Sequence, residues 1–342
     1  MIDMYHIGWD VHKKKINGAT LNSKGNILNE SQFDHSISGA KEYLHGYPPE
    51  HTHIVMESSS HIYVLYDYLV EHGYDVKIAH AKDMHRITKS SKKNDKRDAL
   101  QLAKHLLAND IPESYIPSKE IRKRRSVIRT RIEFVQERVR LINKVQSILQ
   151  KDGICLKAKT SFCKKWVKEL QAISFDDETQ HKLDLYFLQH KHITKTIEDY
   201  NEKISLLVGK DKEAQLLMSI PGLGELTSMI LLTELGDYKR FNCSKKMAAY
   251  VGIIPSSRSS GERIRHGRIS KDGNPYIKWA LTQAASSAGN SKSAIGKYFK
   301  KKMIRKGYQK ACIATGHKIL RIAYGVLHSN QKYSDSLVEV CG

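Results

Sequence analysis

The chain has 342 residues, with 57 Lys plus Arg against 36 Asp plus Glu, a formal net charge of +21. At roughly 100–200 residues per domain, two or three domains are expected; the cation excess opposes compaction unless a polyanion neutralises it, so nucleic acid is the leading partner. No run approaches the roughly 18 apolar residues of a membrane span, no signal-type stretch opens the chain, and the five cysteines form no CxxC pair, so a cytoplasmic protein without membrane, zinc ribbon or disulfide framework is expected.

Residues 1–110 read as alternating strands and helices. "YHIGWDV" from Tyr5 is an apolar strand, and "KINGATLN" and "NILNESQF" flank a turn at Ser23, Lys24 and Gly25, which predicts a three-strand meander. A helix over 38–46, the strand "THIVMES" from Thr52, a helix over 62–72 stopped by Gly73, the strand "DVKIAHA" and helical segments to Asn109 complete a βββαβαβα order. Three leading antiparallel strands followed by βα units predict an α/β sheet of ribonuclease H type.

"IPESYIPS" from Ile111 reads as a linker. Two amphipathic helical runs follow. Ile128, Ile132, Val135, Val139 and Ile142 make the first, and Ile193, Ile197, Tyr200, Ile204 and Leu207 the second. Their steps of four and three allow a coiled-coil dimerisation stalk or an intramolecular helical hairpin. The first run opens with Lys119, Arg122, Lys123, Arg124, Arg125, Arg129 and Arg131, opposed only by Glu120, which points to contact with a nucleic-acid backbone. Residues 211–331 form a third, mainly helical region, and 332–342 a tail.

Four carboxylates stand out in the first region. Asp10 closes the first strand, Glu57 ends the central one, and Asp95 and Asp98 open a helix three residues apart, on one face. Neighbouring strands in a ribonuclease H sheet would bring Asp10 beside Glu57. Like charges so gathered need a cation, and hard oxygen donors suit Mg²⁺ or Mn²⁺, ions that serve phosphoryl transfer. Taken singly, each acid reads equally as a turn or helix cap.

In the third region, Pro221, Gly222 and Gly224 make a tight turn between two apolar helices. The pattern fits a helix–hairpin–helix that offers Gly222 and Gly224 N–H groups to a DNA phosphate, or a plain helical corner. Further on, Ser256, Ser257, Ser259 and Ser260 crowd among Arg258, Arg263, Arg265, Arg268 and Lys271. Such a stretch can hold a nucleophile beside a phosphate clamp, or a basic loop that only grips DNA.

"GWDVHK", "ESSS", "KNDKRDA", "IPGLGELTS", "VGIIPSSRSSGE" and "GRISKDGNPYIKWAL" follow one another as in the DEDD insertion-sequence transposase family numbered one-ten, which is related to the pilin-gene invertase. The resemblance runs from about Tyr5 to Leu327. It implies a RuvC-like domain over 1–110, a linker and coiled coil over 111–210, and a transposase domain over 211–331 with the serine motif. It implies that Asp10, Glu57, Asp95 and Asp98 bind divalent metal, and that Ser259, with Ser260 adjacent, attacks DNA to form a phosphoserine link. It further implies donor and target DNA as substrates, a structured non-coding guide RNA, and a homo-oligomer, dimer or tetramer. A hydrolytic RuvC-like endonuclease and a non-catalytic nucleic-acid-binding protein are the alternatives.

Overall fold

The computed structural model describes residues 3–59, 61–81, 83–84, 95–158, 161–260, 263–269 and 272–335, without the side chains of 95–96 and 255–268. Contacts divide the chain into two units, 1–116 and 117–342.

The first unit is built on a five-stranded mixed sheet in the order β3-β2-β1-β4-β5. Its strands are β1 (Tyr5–Val11), β2 (Lys15–Leu21), β3 (Ile27–Asp34), β4 (Thr52–Glu57) and β5 (Asp75–Ala79). The first three pair antiparallel, and β4 and β5 add in parallel beyond β1. This is the expected order of elements, and it is consistent with a ribonuclease H-like α/β arrangement.

Side-chain alternation along the strands divides two cores. Ile7, Trp9 and Val11 of β1, with Ile54 and Met56 of β4, face α1 (Ile37–Tyr43) and α2 (Tyr63–Glu71). There Trp9 meets Phe33 and Tyr43 edge-on, at centroid distances of 5.2 and 5.8 Å. On the other face Val55 and Ala79 pack with Leu102 and Leu106 of α3 (Asp95–Leu107). Gly8 of β1 lies on that second face. A Cβ there would run into the Ala99 carbonyl oxygen and stand 2.5 Å from the Ala103 nitrogen, so the missing side chain lets α3 lie directly on β1.

Among its described residues the second unit is helical apart from one hairpin. Ser118 caps α4 (Lys119–Lys151) by accepting from the Ile121 N–H, as a serine after the Pro117 boundary should. After the short α5 (Lys164–Gln171), α6 (Asp177–Gly209) packs back along α4. Leu141 meets Ile193 and Ile197, and Val145 and Leu149 join Leu183, Trp166 and Leu170 near the far end. Within the chain the two helices thus pair with each other as a hairpin. The expected seam holds at Ile128, Ile132, Ile193, Ile197 and Ile204, but Val139 is 49 % exposed and the buried stripe continues through Leu141 and Val145 instead. The apolar alternatives lay side by side on one helix, and the partner helix chose between them.

The rest of the unit surrounds α8 (Glu225–Leu235), whose residues from Ser228 to Leu235 are all buried. Around it lie α7 (Lys212–Met218), α9 (Ser244–Val251), α10 (Pro275–Gly289), α11 (Ala294–Lys306) and α12 (Tyr308–Ser329). Between α9 and α10 stands a two-stranded hairpin, β6 (Pro255–Ser260) and β7 (Arg263–Ile269). The serine and arginine stretch, for which a basic loop was one of the two readings, is thus paired strand. Among the described residues no helix is long and apolar enough to cross a membrane.

Candidate functional site

Two places gather the residues singled out by sequence, one in each unit. In the first, β1 and β4 run parallel with Trp9 opposite Met56, so Asp10 and Glu57 stand one step beyond, at the carboxyl ends of adjacent strands. Asp10 follows Gly8 by two residues and Glu57 follows Val55 by two, so both project to the face covered by α3. Asp98 precedes Ala99, the residue seated on Gly8, and is half-buried. Asp10 and Glu57 therefore share one face and one edge, and the helix that carries Asp98 lies over that face. Asp95 begins α3, and its side chain lies outside the described residues.

Asp10 is 6 % exposed, and its Oδ2 lies 3.1 Å from His12 Nε2. Among the described residues no three His, Cys, Asp or Glu side chains are gathered closely enough to hold a metal ion. The donors that share the edge are all carboxylate oxygens, the chemistry that fits a hard divalent cation. Gly8 and His12 are the residues that sequence reading passed over. A glycine inside an apolar strand was the available signal for the first.

In the second unit, the turn before α8 separates the roles of its two glycines. Gly222 has φ +96°, and a Cβ on it would strike the Ala284 carbonyl and lie 2.9 Å from Ala288 Cβ. It serves the packing of the turn against α10. Gly224 is exposed, has open space around it, and caps α8 with its N–H donated to Thr227 Oγ1 at 2.9 Å.

The basic cluster opening α4 also divides. Lys123 is exposed. Arg124 donates to Glu120 at 2.6 Å and to Asp211 at 2.7 Å. Arg125, 15 % exposed, donates to the Thr233 carbonyl at 2.7 and 3.1 Å, completing the end of α8. Arg129 grips Glu234 with two hydrogen bonds, Nε to Oε1 at 2.7 Å and Nη2 to Oε2 at 2.9 Å. Arg131 donates to Asn201 at 3.0 Å. Glu120 is not the only acid opposing this cluster, because Asp211 and Glu234 arrive from other elements. Arg122 stands half-buried among them and has partners of its own.

Glu234 is 1 % exposed, a single acid in an otherwise apolar run. Its Oε2 also accepts from Asn274 Nδ2 at 2.6 Å, while Asn274 Oδ1 caps α10 by accepting from the Tyr276 and Ile277 N–H groups. The Arg129 guanidinium lies 4.7 Å from the Tyr276 ring centroid. Asn274 stands just beyond the hairpin, and the chain entering the hairpin is fixed beside it. Gly252, at φ +73°, and Gly273, at φ +93°, cross backbone to backbone, and a Cβ on Gly252 would run into the Asp272 carbonyl. Both feet of β6–β7 are thereby held to the buried core. Ser259 pairs with Ile264 and Ser260 with Arg263 at the far end of the ladder. The side chains of Ser259, Ser260, Arg258, Arg263, Arg265 and Arg268, and the whole of Lys271, lie outside the described residues.

Two family models match the chain. Residues 7–152 match that of the IS110 DEDD transposase, and residues 214–300 that of the transposases of the IS116/IS110/IS902 family. The first spans the carboxylate edge, and the second spans the turn, Glu234 and the serine hairpin. The transposase for insertion sequence element IS1328 of Yersinia enterocolitica is 27 % identical over 290 residues, 82 % of each chain. That for IS1111A of Coxiella burnetii is 25 % identical over 255 residues, 71 % of this chain and 69 % of the relative. The pilin gene-inverting protein of Moraxella bovis is 24 % identical over 346 residues, 98 % of this chain and 99 % of the relative.

Proposed function

The chain belongs to the IS110 family of DEDD transposases, carrying both of its domains, and from that premise we propose that it cuts and rejoins DNA through a serine nucleophile assisted by a divalent cation. The observation that supports the reading is the seating of α3, the helix of Asp98, on Gly8 beside the strand ends that carry Asp10 and Glu57. These three acids with Asp95 would hold Mg²⁺ or Mn²⁺, and a cation there would offset negative charge on the attacked phosphate. Family membership implies DNA strand cleavage and transfer.

Ser259 is the nucleophile in this reading. Its oxygen bonds to phosphorus as the bond to the leaving deoxyribose oxygen breaks. The serine proton is released and the leaving oxygen gains one. Attack by a new strand's hydroxyl on the phosphoserine reverses the step and reseals DNA without a further energy source. Arg258, Arg263, Arg265, Arg268 and Lys271 hold the phosphate, and Gly224 offers its helix end to a second one. Donor and target DNA are the substrates, a structured non-coding RNA guides their choice, and a dimer or tetramer carries out the exchange. The family-model match over the hairpin supports the serine assignment.

The experiment traps the reaction on a nicked suicide DNA substrate, denatures it, and looks for DNA that migrates with protein. An adduct in wild type that Ser259→Ala abolishes supports the reading. Loss in Ser260→Ala alone keeps the mechanism and moves the nucleophile by one residue. Undiminished cleavage by Ser259→Ala, with no adduct in wild type, gives the case to hydrolysis by a RuvC-like nuclease.

A further inference from the structure

Three loops meet at the carboxyl edge of the sheet: the β1–β2 turn, the β3–α1 turn, and the stretch leading from β4 into α2. A cleft of about 380 Å³ opens between them, lined by Lys13, His35, His61, Tyr63, Val64 and Leu65 among others. None of its lining residues is a carboxylate, in contrast to the acidic face nearby. One side offers nitrogen, from Lys13 and from two imidazoles whose ring centroids lie 6.4 Å apart. The other offers an aromatic ring and aliphatic side chains.

The cleft is tied to the carboxylates through one residue. His12 Nε2 lies 3.1 Å from Asp10 Oδ2, and the His12 carbonyl accepts from His35 Nδ1 at 2.8 Å. That bond makes Nδ1 the protonated nitrogen of His35 and leaves Nε2 as an acceptor for a donor on the ligand. Lys13 is the next residue along the turn. The cleft opens at the loop end of the sheet between the starts of α1 and α2, on the face opposite α3, and reaches Asp10 through His12.

We propose that the cleft holds one nucleotide of the DNA strand next to the phosphate under attack. Lys13 receives its phosphate, His35 Nε2 accepts from a base N–H, and the base lies against Tyr63 and Val64 beside His61. Three arguments carry this. The lining sets a lysine and two imidazoles beside an aromatic and aliphatic wall, and a cation beside a ring is the combination that binds single-stranded nucleic acid. The volume falls at the small end of ligand sites, roughly 300–1,000 Å³, which admits one nucleotide and excludes a duplex. The position lies outside the carboxyl ends of the strands, at the point where parallel pairing gives way to antiparallel, where open α/β sheets bind ligands. The inference rests on the reading of the carboxylate edge as the place where DNA is handled.

The test uses the full chain, in EDTA, with a 5′-phosphorylated oligo-dT eight-mer carrying one 5-iodo-deoxyuridine, and maps the photo-crosslinked peptides by mass spectrometry. The full chain has other basic surfaces, so the readout is local, the adduct on the peptide containing Tyr63. The expected result is an adduct there that Lys13→Glu reduces roughly tenfold, the worth of a charge-assisted hydrogen bond, while adducts on other peptides are unchanged. Lys13 is exposed, so the variant folds. Adducts confined to peptides of the helical unit overturn the proposal, as does a Tyr63 adduct indifferent to Lys13→Glu. An eight-mer of oligo-U that labels Tyr63 in place of oligo-dT assigns the cleft to RNA and overturns it too. Because the measurement needs no cation, it fails separately from the metal reading, which cleavage in EDTA tests.

Discussion

At the sheet edge Asp10 and Glu57 share a face, over which the helix of Asp98 lies, and the neighbour Asp10 meets at 3.1 Å is an imidazole, a cation only when protonated. In the helical unit Glu234 is buried among Arg129, Arg125 and Asn274, each group answered by its opposite. The first takes acids scattered along the sequence from Asp10 to Asp98, and the second includes the run of cations that opens α4. At the first, acids stand at the ends of adjacent strands, and like charges repel where they approach. The other was largely neutralised from within, by acids brought from distant points of the chain. A charge cluster is therefore a ligand site only to the extent that folding leaves it unanswered.

The sharpest way to break this contrast is to remove charge at each place. Asp10→Asn should lower DNA cleavage by about 10²–10³-fold or more while leaving DNA binding within about twofold. EDTA should do the same to the wild type, and full cleavage in EDTA would remove the metal from the account. Glu234→Ala should act on stability instead, costing about 3–5 kcal/mol in urea unfolding followed by circular dichroism, because Arg129 and Arg125 lose their counter-charge in a buried place. Adding Arg129→Met should recover part of that loss. If the double variant were no better than the single, the pair would not be the reason for the burial of Glu234.

A third substitution asks whether the carboxylates depend on the packing beneath them. Gly8→Ala introduces a Cβ where the Ala99 carbonyl lies, an overpacking that costs about 1–3 kcal/mol. It should also lower cleavage more than DNA binding, because α3 carries Asp98 and Asp95 away from β1. Normal cleavage by a folded Gly8→Ala protein would show that Asp98 is not needed at that face. The smallest effect sharpens the contrast within the basic cluster. Lys123→Glu should leave stability within about 0.5 kcal/mol and reduce the salt slope of nucleic-acid binding by about one unit. Arg125→Ala should do the reverse, destabilising the fold with little change in slope. Equal salt effects from both would mean that the hydrogen bonds of Arg125 to α8 do not withdraw it from nucleic acid.

The order of strands and helices in the first unit was legible from residue pattern, and with it the adjacency of Asp10 and Glu57. Alternation along "YHIGWDV" and "THIVMES" sets which side chains share a face, and sheets of this connectivity set which strands are neighbours. Local signals also marked the cap at Ser118 and the end of α2 before Gly73. The hairpin β6–β7 was not legible, because serine and arginine carry no strand periodicity and its feet are fixed by two glycines and an asparagine that act through tertiary contact.

Sequence by itself thus determined where the chemistry-bearing residues stand along the chain, and which of them a strand or helix would align. These are matters of period and cap, decided within a few residues. Tertiary structure alone decided which charges remain for a ligand. Arg125 and Lys123 are two residues apart on one helix, yet one is bound to the end of α8 and the other faces solvent. Gly222 and Gly224 belong to one turn, yet the first is pressed against Ala284 and the second is open. The partners that separate them lie sixty to more than a hundred residues away, and a contact at that separation leaves no mark in local sequence.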